Sequence, residues 1–577
     1  MNERIVIIPI TVREGAVSLR DSMRFCRAAA VLSSVLVPLA ISAACGTEQR
    51  SGFDDEQKNV GGFDEAGTFG DAADPQGREV RDPTTCAEAA AAKTYVGCDY
   101  WATPGANIVQ DVFDFAIAVA NVGNEPANVE VTSRNDMKWN ITVGPGSLGK
   151  VFLPWVQELK GNSIQSVTSS MIAKNSAYHV VSDRPVVVYQ FSPLQFRAQG
   201  GPEGKNWSGC KKQLGADDCY SYTNDASLLL PSTAMTGSYR IMGSYGFSRR
   251  PIDETTQKPD PSKEPLPGYA PYFLVTATQN GTTVNVKLGP KGKVVAGGGV
   301  PAADANGTVS FTLDAGDIAQ VVSGVGRDFD LSGSLLDADK PVQVITGVPC
   351  IDFPLDVIAC DHIEETVFPA QTLGKRYVVA LPSGPTDAKV QHVVRFYGNA
   401  DGTKLTYKPQ APSGCPATLS AGEVVECGEV GIDFEVEGDH EFGVGTFLLG
   451  ASKVDPQFSI QKSMGDPSQS FAVTVEQYRK KYVFLAPTDY TTSYVDVVTS
   501  EGTTLTLDGA DVSSQLAPIN GTSFFTARVK LEPVNEGVHT LLSSKPSGIQ
   551  VLGYGSYTSY QYPGGLNLGE IAPIPPK

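Results

Sequence analysis

The sequence predicts an all-β protein built from tandem antiparallel β-sandwich-like repeats, on three observations. Its 577 residues include 59 Gly and 39 Pro, a turn-rich usage. Few long stretches of helical period follow residue 50, whereas short period-2 runs recur. The same hairpin then returns several times along the chain. With 19% charged and 41% hydrophobic residues, the chain is neither disordered overall nor a polytopic membrane protein. Lys and Arg number 45 against 63 Asp and Glu, a net charge of −18 without basic clusters, which argues against a nucleic-acid partner.

The hairpin is the first repeat landmark. It appears as Val275–Val286 around Asn280-Gly281, again around Asp401-Gly402-Thr403, again around Glu501-Gly502-Thr503, and in a divergent copy from Ile117 to Val131. Gly after Asn or Asp supplies the positive φ that tight hairpin turns need. The second landmark follows each hairpin: Ser182-Asp183-Arg184-Pro185-Val186, Ala338-Asp339-Lys340-Pro341-Val342 and Ser544-Lys545-Pro546-Ser547, with the third copy near Asp439–Val444 lacking proline. Proline ahead of a β-branched run fits the first residue of a strand, where no ladder donor is lost. These landmarks define units of about 100–195, 228–348, 366–450 and 470–560 within an all-β region, 86–565, followed by a tail, 566–577. Six or seven short strands per unit suit small sandwiches, and a β-propeller is the alternative. The stretches Gln195–Tyr222 and Arg249–Pro271 are long loops, the places where a rigid β scaffold carries binding groups.

Eight cysteines in the body fall into four close pairs: Cys86 with Cys98, Cys210 with Cys219, Cys350 with Cys360, and Cys415 with Cys427. An even count at local spacing in an exported chain predicts four local disulfides, whereas zinc knuckles need two to four residues between ligands. Export is read from the amino end. Arg24 and Arg27 precede an apolar run, Ala28–Ala40, and small residues lead into Cys45. This resembles a bacterial lipoprotein signal. The resemblance implies a signal peptide over 1–44 with its start at Met23, a lipid on Cys45, and an outer-membrane location because Gly46 follows. Residues 45–85 are acidic and Gly-rich with few aliphatics, and we expect a flexible tether. Their carboxylates lack the spacing of a calcium loop, so no metal or other cofactor is expected.

No G-x-S-x-G, H-E-x-x-H, Walker or dinucleotide motif occurs, and we expect no enzyme. The best catalytic candidate is Asp361-His362-Ile363-Glu364-Glu365 beside Cys360; its simpler reading is a backbone tie, with alternation sending Asp361 and His362 to opposite faces. His440 and His539 are expected to bond within turns. Trp207 lies in a polar disulfide loop with Lys205, Lys211 and Lys212, and is the tryptophan expected to be exposed. With Arg249 and Arg250 of the second loop, these form the candidate binding set.

The runs Lys340–Cys350, Cys360–Glu365, Phe368-Pro369 and Gly374–Val379 resemble the amino-terminal domain of the IgGFc-binding protein family, as do Gly465–Ser468, Tyr482–Pro487, Gly537–His539 and Tyr560–Gly564. The resemblance implies a secreted binding or adhesion module for glycoprotein, polysaccharide or matrix. An envelope scaffold or stalk is the alternative function, and a carboxylate-dependent hydrolase the residual one.

Overall fold

Four times along the chain the same strand order is laid down around one long strand, here called the spine. A computed structural model describes residues 82–576, except 162–166, 213–218, 252, 254–258, 267, 358, 460–462 and 534–536. The expectations for residues 1–81, including the signal segment and lipidated Cys45, lie outside the described residues. The spines are Tyr178–Phe191, Leu335–Ile351, the pair Phe434–Gly438 and Phe442–Leu448, and Val538–Gly555. The amino-terminal half of each pairs with an opening strand: Gly97–Ala102, Thr236–Arg240, Arg376–Val379 or Arg479–Leu485. It also pairs with a hairpin strand: Ala127–Ser133, Thr282–Lys287, Thr403–Lys408 or Leu505–Leu507. The carboxy-terminal half pairs with Phe115–Asn121, Tyr272–Ala277, His392–Gly398 or Thr492–Ser500, and with a closing strand: Ala226–Leu228, Asp361–Thr366, Gln469–Phe471 or Thr558–Pro563. Each repeat is thus a two-sheet antiparallel sandwich whose spine crosses from one sheet to the other, as sheet corners do.

The prolines mark that crossing. Pro185, Pro341 and Pro546 do not open a strand, as the sequence suggested, but sit inside a continuous one. Each falls in a register break, where the pairing skips from Val181 to Val186, from Asp337 to Val342, and from Leu542 to Ser547. The energetic reason is the one that motivated the expectation: at a bulge the missing N–H removes no ladder bond. In the third repeat, without proline, the spine breaks over 439–441 and the two sheets separate.

Two side-chain devices hold every bend. The residue ahead of it caps the hairpin: Asp183 Oδ1 accepts from Asn128 N (2.7 Å), Asp339 from Thr283 N (2.8 Å), Asp439 from Lys404 N (2.8 Å), and Ser544 Oγ from Thr504 N (2.8 Å). The two repeat landmarks are therefore in contact. From the opening strand a buried tyrosine donates its hydroxyl to the carbonyl just past the bend: Tyr100 to Val186, Tyr239 to Val342, Tyr377 to Phe442 and Tyr482 to Ser547. Gly281, Gly402 and Gly502 take φ of 65°, 70° and 71° at the hairpin turns, the left-handed backbone that the Gly turns predicted.

The four sandwiches close on one another. The closing strand Ala226–Leu228 packs against Asp361–Thr366, that against Gln469–Phe471, that against Thr558–Pro563, and the last returns to the first. Each seam has its own bonds. Gln343 Nε2 donates to Trp101 O (2.5 Å), Arg395 Nη1 to Gly243 O (2.5 Å), Arg528 Nη2 to Asp433 Oδ1 (2.6 Å), and the Tyr189 hydroxyl lies 3.0 Å from the carbonyls of Val483 and Gly564. One apolar cluster containing Tyr189, Phe273, Tyr397 and Val551 runs through all four repeats. The expected sandwiches are present, and the closed circuit that a propeller makes from blades is made here from whole sandwiches. Replacing Tyr239 or Tyr377 by Phe strands a buried carbonyl at the bend. Each change should cost about 1–3 kcal/mol, read as a lower urea midpoint; an unchanged midpoint would show that the hydroxyl does not hold the bend.

Candidate functional site

Where the closing strands meet, the protein buries polar residues rather than aliphatics. Asp225 precedes the first closing strand and is fully buried. Its Oδ1 accepts from Ala226 N (2.9 Å), Gln561 N (3.4 Å) and Ser468 Oγ (2.7 Å), and its Oδ2 from Glu364 N (3.0 Å) and Gln469 N (3.1 Å). Ala226, Glu364, Gln469 and Gln561 hold one register position in the four closing strands, opposite Phe191, Gly347, Phe447 and Leu552 of the spines. Four equivalent backbone donors, one from each repeat, therefore converge on one carboxylate. Burial pushes this carboxyl well above the ordinary range, and the bonds from Ser468, Gln469, Glu364 and Ala226 act against the push. All five donors are satisfied together only by the ionised form.

The Asp361–Glu365 segment is the second closing strand, and all its side chains are buried. Asp361 accepts from His362 N (2.7 Å) and Thr558 Oγ1 (2.8 Å). Glu364 Oε1 accepts from Gln190 Nε2 (2.9 Å), and its Oε2 lies 3.2 Å from His362 Nε2. Glu365 Oε1 takes Thr366 N (2.8 Å) and Leu228 N (3.2 Å). Desolvation raises the carboxyls of Asp361 and Glu365, and lifts Asp466, which Ala359 N and Ala451 N approach, to about 8. Perturbed acids of this kind attract a catalytic reading. Here Glu365 and Asp361 accept backbone N–H groups of Leu228 and Ser559 and tie one repeat to the next, whereas His362, expected to tie backbone, reaches only the Glu364 side chain. Among the described residues, no group of three or more His, Cys, Asp or Glu could hold a metal ion, and no helix is long and apolar enough to cross a membrane.

The connections from spine to closing strand gather at one end of this hub: 192–225, 352–360, 449–468 and 556–557. The second, third and fourth are bonded in turn, the last pair by Tyr557 N donating to Ser463 O (3.1 Å). Phe196 of the first connection lies tilted against Tyr490 of the fourth repeat at 5.5 Å, Gly450 N donates to Phe353 O (2.8 Å), and Gly465 N donates to Gly555 O at the end of the fourth spine (3.0 Å). All four predicted disulfides are present, and Cys210–Cys219 and Cys350–Cys360 brace two of these loops.

The candidate binding residues divide between this surface and its supports. Trp207 is half-buried rather than exposed: its ring meets Phe113 at 5.3 Å, and Lys205 Nζ lies 4.7 Å from the ring centroid. Lys205 is itself ion-paired with Asp114. Lys211 and Lys212 are exposed, on backbone pinned by Gln110 through Lys211 N (2.9 Å). Arg249 grips Asp352 with two bonds (3.0 and 2.6 Å), and Arg250 N donates to Asp356 Oδ1 (3.0 Å), so the second loop is fastened to the second repeat's connection. His440 pairs with Asp439, and His539 Nδ1 lies 2.7 Å from Asp508 Oδ2.

Sequence reasoning did not find Asp225, Gln190 or Gln561. The closing strands of the first and third repeats have three residues each, too short for a period to register.

A cavity of about 50 Å³ lies between the third and fourth repeats, with His392 and Asp496 in its wall. Burial lowers His392 to about 4, and burial lifts Asp496 to about 6.

These features define an all-β module of four bent-spine sandwiches, closed on a polar hub and braced by local disulfides. A family profile described as IgGFc binding protein matches residues 225–553. The chain belongs to the IgGFc-binding protein family. It is 27% identical over 359 residues to the human IgGFc-binding protein, a span covering 61% of this chain and 6% of the human protein. Among solved structures, a tetra-tandem repeat from the extending region of a large adhesion protein is 11% identical, with coverage of 82% of this chain and 99% of that one; its TM-score of 0.08 carries no argument about the fold.

Asp225→Asn keeps the shape of the hub but turns an amide toward inward-pointing donors; we expect a loss of about 1–3 kcal/mol, measured by chemical denaturation. His392 titrates near 4 when folded and near 6.5 when unfolded. Its share of stability is present above about pH 6.5 and is lost as pH falls toward about 4. Asp496, raised when folded, works in the opposite sense. The stability difference between wild type and His392→Gln should therefore shift against wild type by about 3 kcal/mol between pH 7 and pH 4.

Proposed function

We propose that this chain is a non-enzymatic, cell-surface binding module that presents the loop end of its ring to glycoprotein, polysaccharide or matrix ligands. In this reading Cys45 carries the lipid that holds it at the outer membrane, and the acidic segment after it spaces the ring from the surface. One observation carries the proposal: four spine-to-closing-strand connections converge on one end of a closed scaffold, braced by disulfides and the Arg249–Asp352 pair, while the acid cluster beneath is buried and bonded between repeats. Rigid support under presented loops reduces the ordering cost of binding. Family membership supports the same reading. Immunoglobulin Fc is the first glycoprotein to test, because the human relative is named for it.

The full chain should be immobilised and exposed to immunoglobulin G, a mucin glycoprotein and matrix proteins. The expected result is saturable binding to at least one, weakened about tenfold by Lys211→Glu with Lys212→Glu, the scale of losing hot-spot contacts. Absence of binding to every member of the panel by a folded chain would refute the proposal.

A further inference from the structure

The first repeat carries a second candidate surface, away from the loop end. Its opening strand, spine and hairpin strands present an outward sheet face with a groove of about 750 Å³ along it. Register sets the side chains in rows. One row runs Asp99, Val181, Glu130, Asn140; beside it run Trp101, His179, Thr132, Lys138; and on the other side Asp183, Asn128, Thr142.

Three properties of this face bear on what it takes. Its floor has an apolar centre: Val181 is 41% exposed, and the His179 ring lies stacked on Trp101 at 4.0 Å with an interplanar angle of 7°. Its ionisable side chains are held by neighbours on the same face. His179 Nε2 lies 2.7 Å from Asp99 Oδ2, Lys138 pairs with Glu130, and Asp183 accepts from Asn128 N (2.7 Å) and Asn128 Nδ2 (2.8 Å). Carboxylates outnumber cations there, which opposes a phosphate, sulfate or sialic acid. The other exposed polar groups are amides and hydroxyls: Asn140, and Thr142, whose hydroxyl donates to Asn128 Oδ1 (3.0 Å) and keeps its acceptor capacity, beside carboxylate oxygens with acceptor capacity to spare.

We propose that this groove binds a neutral polysaccharide chain. The C–H faces of successive sugars would lie on Val181 and His179, and their hydroxyls would donate to Glu130 and Asp183 and exchange hydrogen bonds with Asn140 and Thr142. Oriented carboxylates held by neighbouring donors accept from a vicinal diol without reorganising, and an open face lets a chain extend past both ends of the contact. The inference deepens the binding reading above but uses a different surface, so the two can fail separately.

The test is affinity electrophoresis of the full chain through gels containing mannan, xyloglucan, laminarin or chitohexaose, with heparin and poly-lysine as charged comparators. Retardation by at least one neutral glycan is expected and none by heparin. Asn140→Ala with Thr142→Ala should weaken it about fivefold or more, the scale of one or two lost hydrogen bonds, and Val181→Asp should abolish it. Lys211→Glu with Lys212→Glu should leave it unchanged. Each replaced side chain faces solvent, and an unaltered urea midpoint, together with recovery in Asn140→Gln/Thr142→Ser, separates lost binding from lost folding. Retardation by none of the four glycans, by poly-lysine alone, or equally in the groove variants would overturn the groove assignment. Loss in the loop variant only would overturn it too, while leaving the loop-end proposal standing.

Discussion

The ring depends on one carboxylate. Asp225 is the point at which the four repeats become a single object, because each contributes a backbone N–H that has no other acceptor in the strand ladder. A buried donor without a partner costs free energy comparable to a lost hydrogen bond, so four inward donors call for an acceptor at their centre. The chain supplies that acceptor itself, from the first repeat, next to the first closing strand. The surrounding Gln, Ser and acid side chains then follow as a second layer, tying Gln190 to Glu364 and Thr558 to Asp361. Apolar packing alone is non-directional; this lattice fixes how far each sandwich is turned against the next.

The outer half of each sandwich relies on a different economy. A single strand serving two sheets needs a bend, and a bend leaves backbone groups without ladder partners. Proline removes one such donor, an Asp or Ser cap satisfies another on the hairpin, and a tyrosine hydroxyl reaches the carbonyl just beyond. Where proline is missing, in the third repeat, Tyr377 and Asp439 still occupy their places, and the spine divides between them and the second sheet. The cap and the tyrosine therefore carry the geometry, and proline contributes continuity.

Much of this was legible in the residues. Hairpin glycines, the recurring Asp-x-Pro landmark and four close cysteine pairs each encode a local requirement, and local requirements leave marks within a dozen positions; the disulfides span separations of 9 to 12. The proline's role was misplaced because a strand that continues through a bulge looks, in one dimension, like a strand that begins. Trp207 was misjudged because its polar neighbours hide the distant Phe113 against which it packs. The hub left almost no trace. Asp225, Ser468, Gln469 and Gln561 are ordinary turn or surface residues by type, and only closure of the ring, which joins segments hundreds of positions apart, makes them interior.

That closure also decides how the molecule meets mechanical load. Besides the Tyr189 bonds, the seam between the last repeat and the first is fastened by residues close to the ends of the described chain: Asp82 with Arg479, Lys93 with Glu570, and the bridge from Thr94 to Asn567. Lys93 and Glu570 stand 477 positions apart. Only Asp82 precedes the Cys86–Cys98 disulfide, and Lys93 and Thr94 sit inside the loop it closes, so a pull on the amino end loads the Asp82–Arg479 pair and then crosses the disulfide into the opening strand. The disulfide thereby shields the Lys93–Glu570 and Thr94–Asn567 contacts from that load and passes it to the ladder between opening strand and spine.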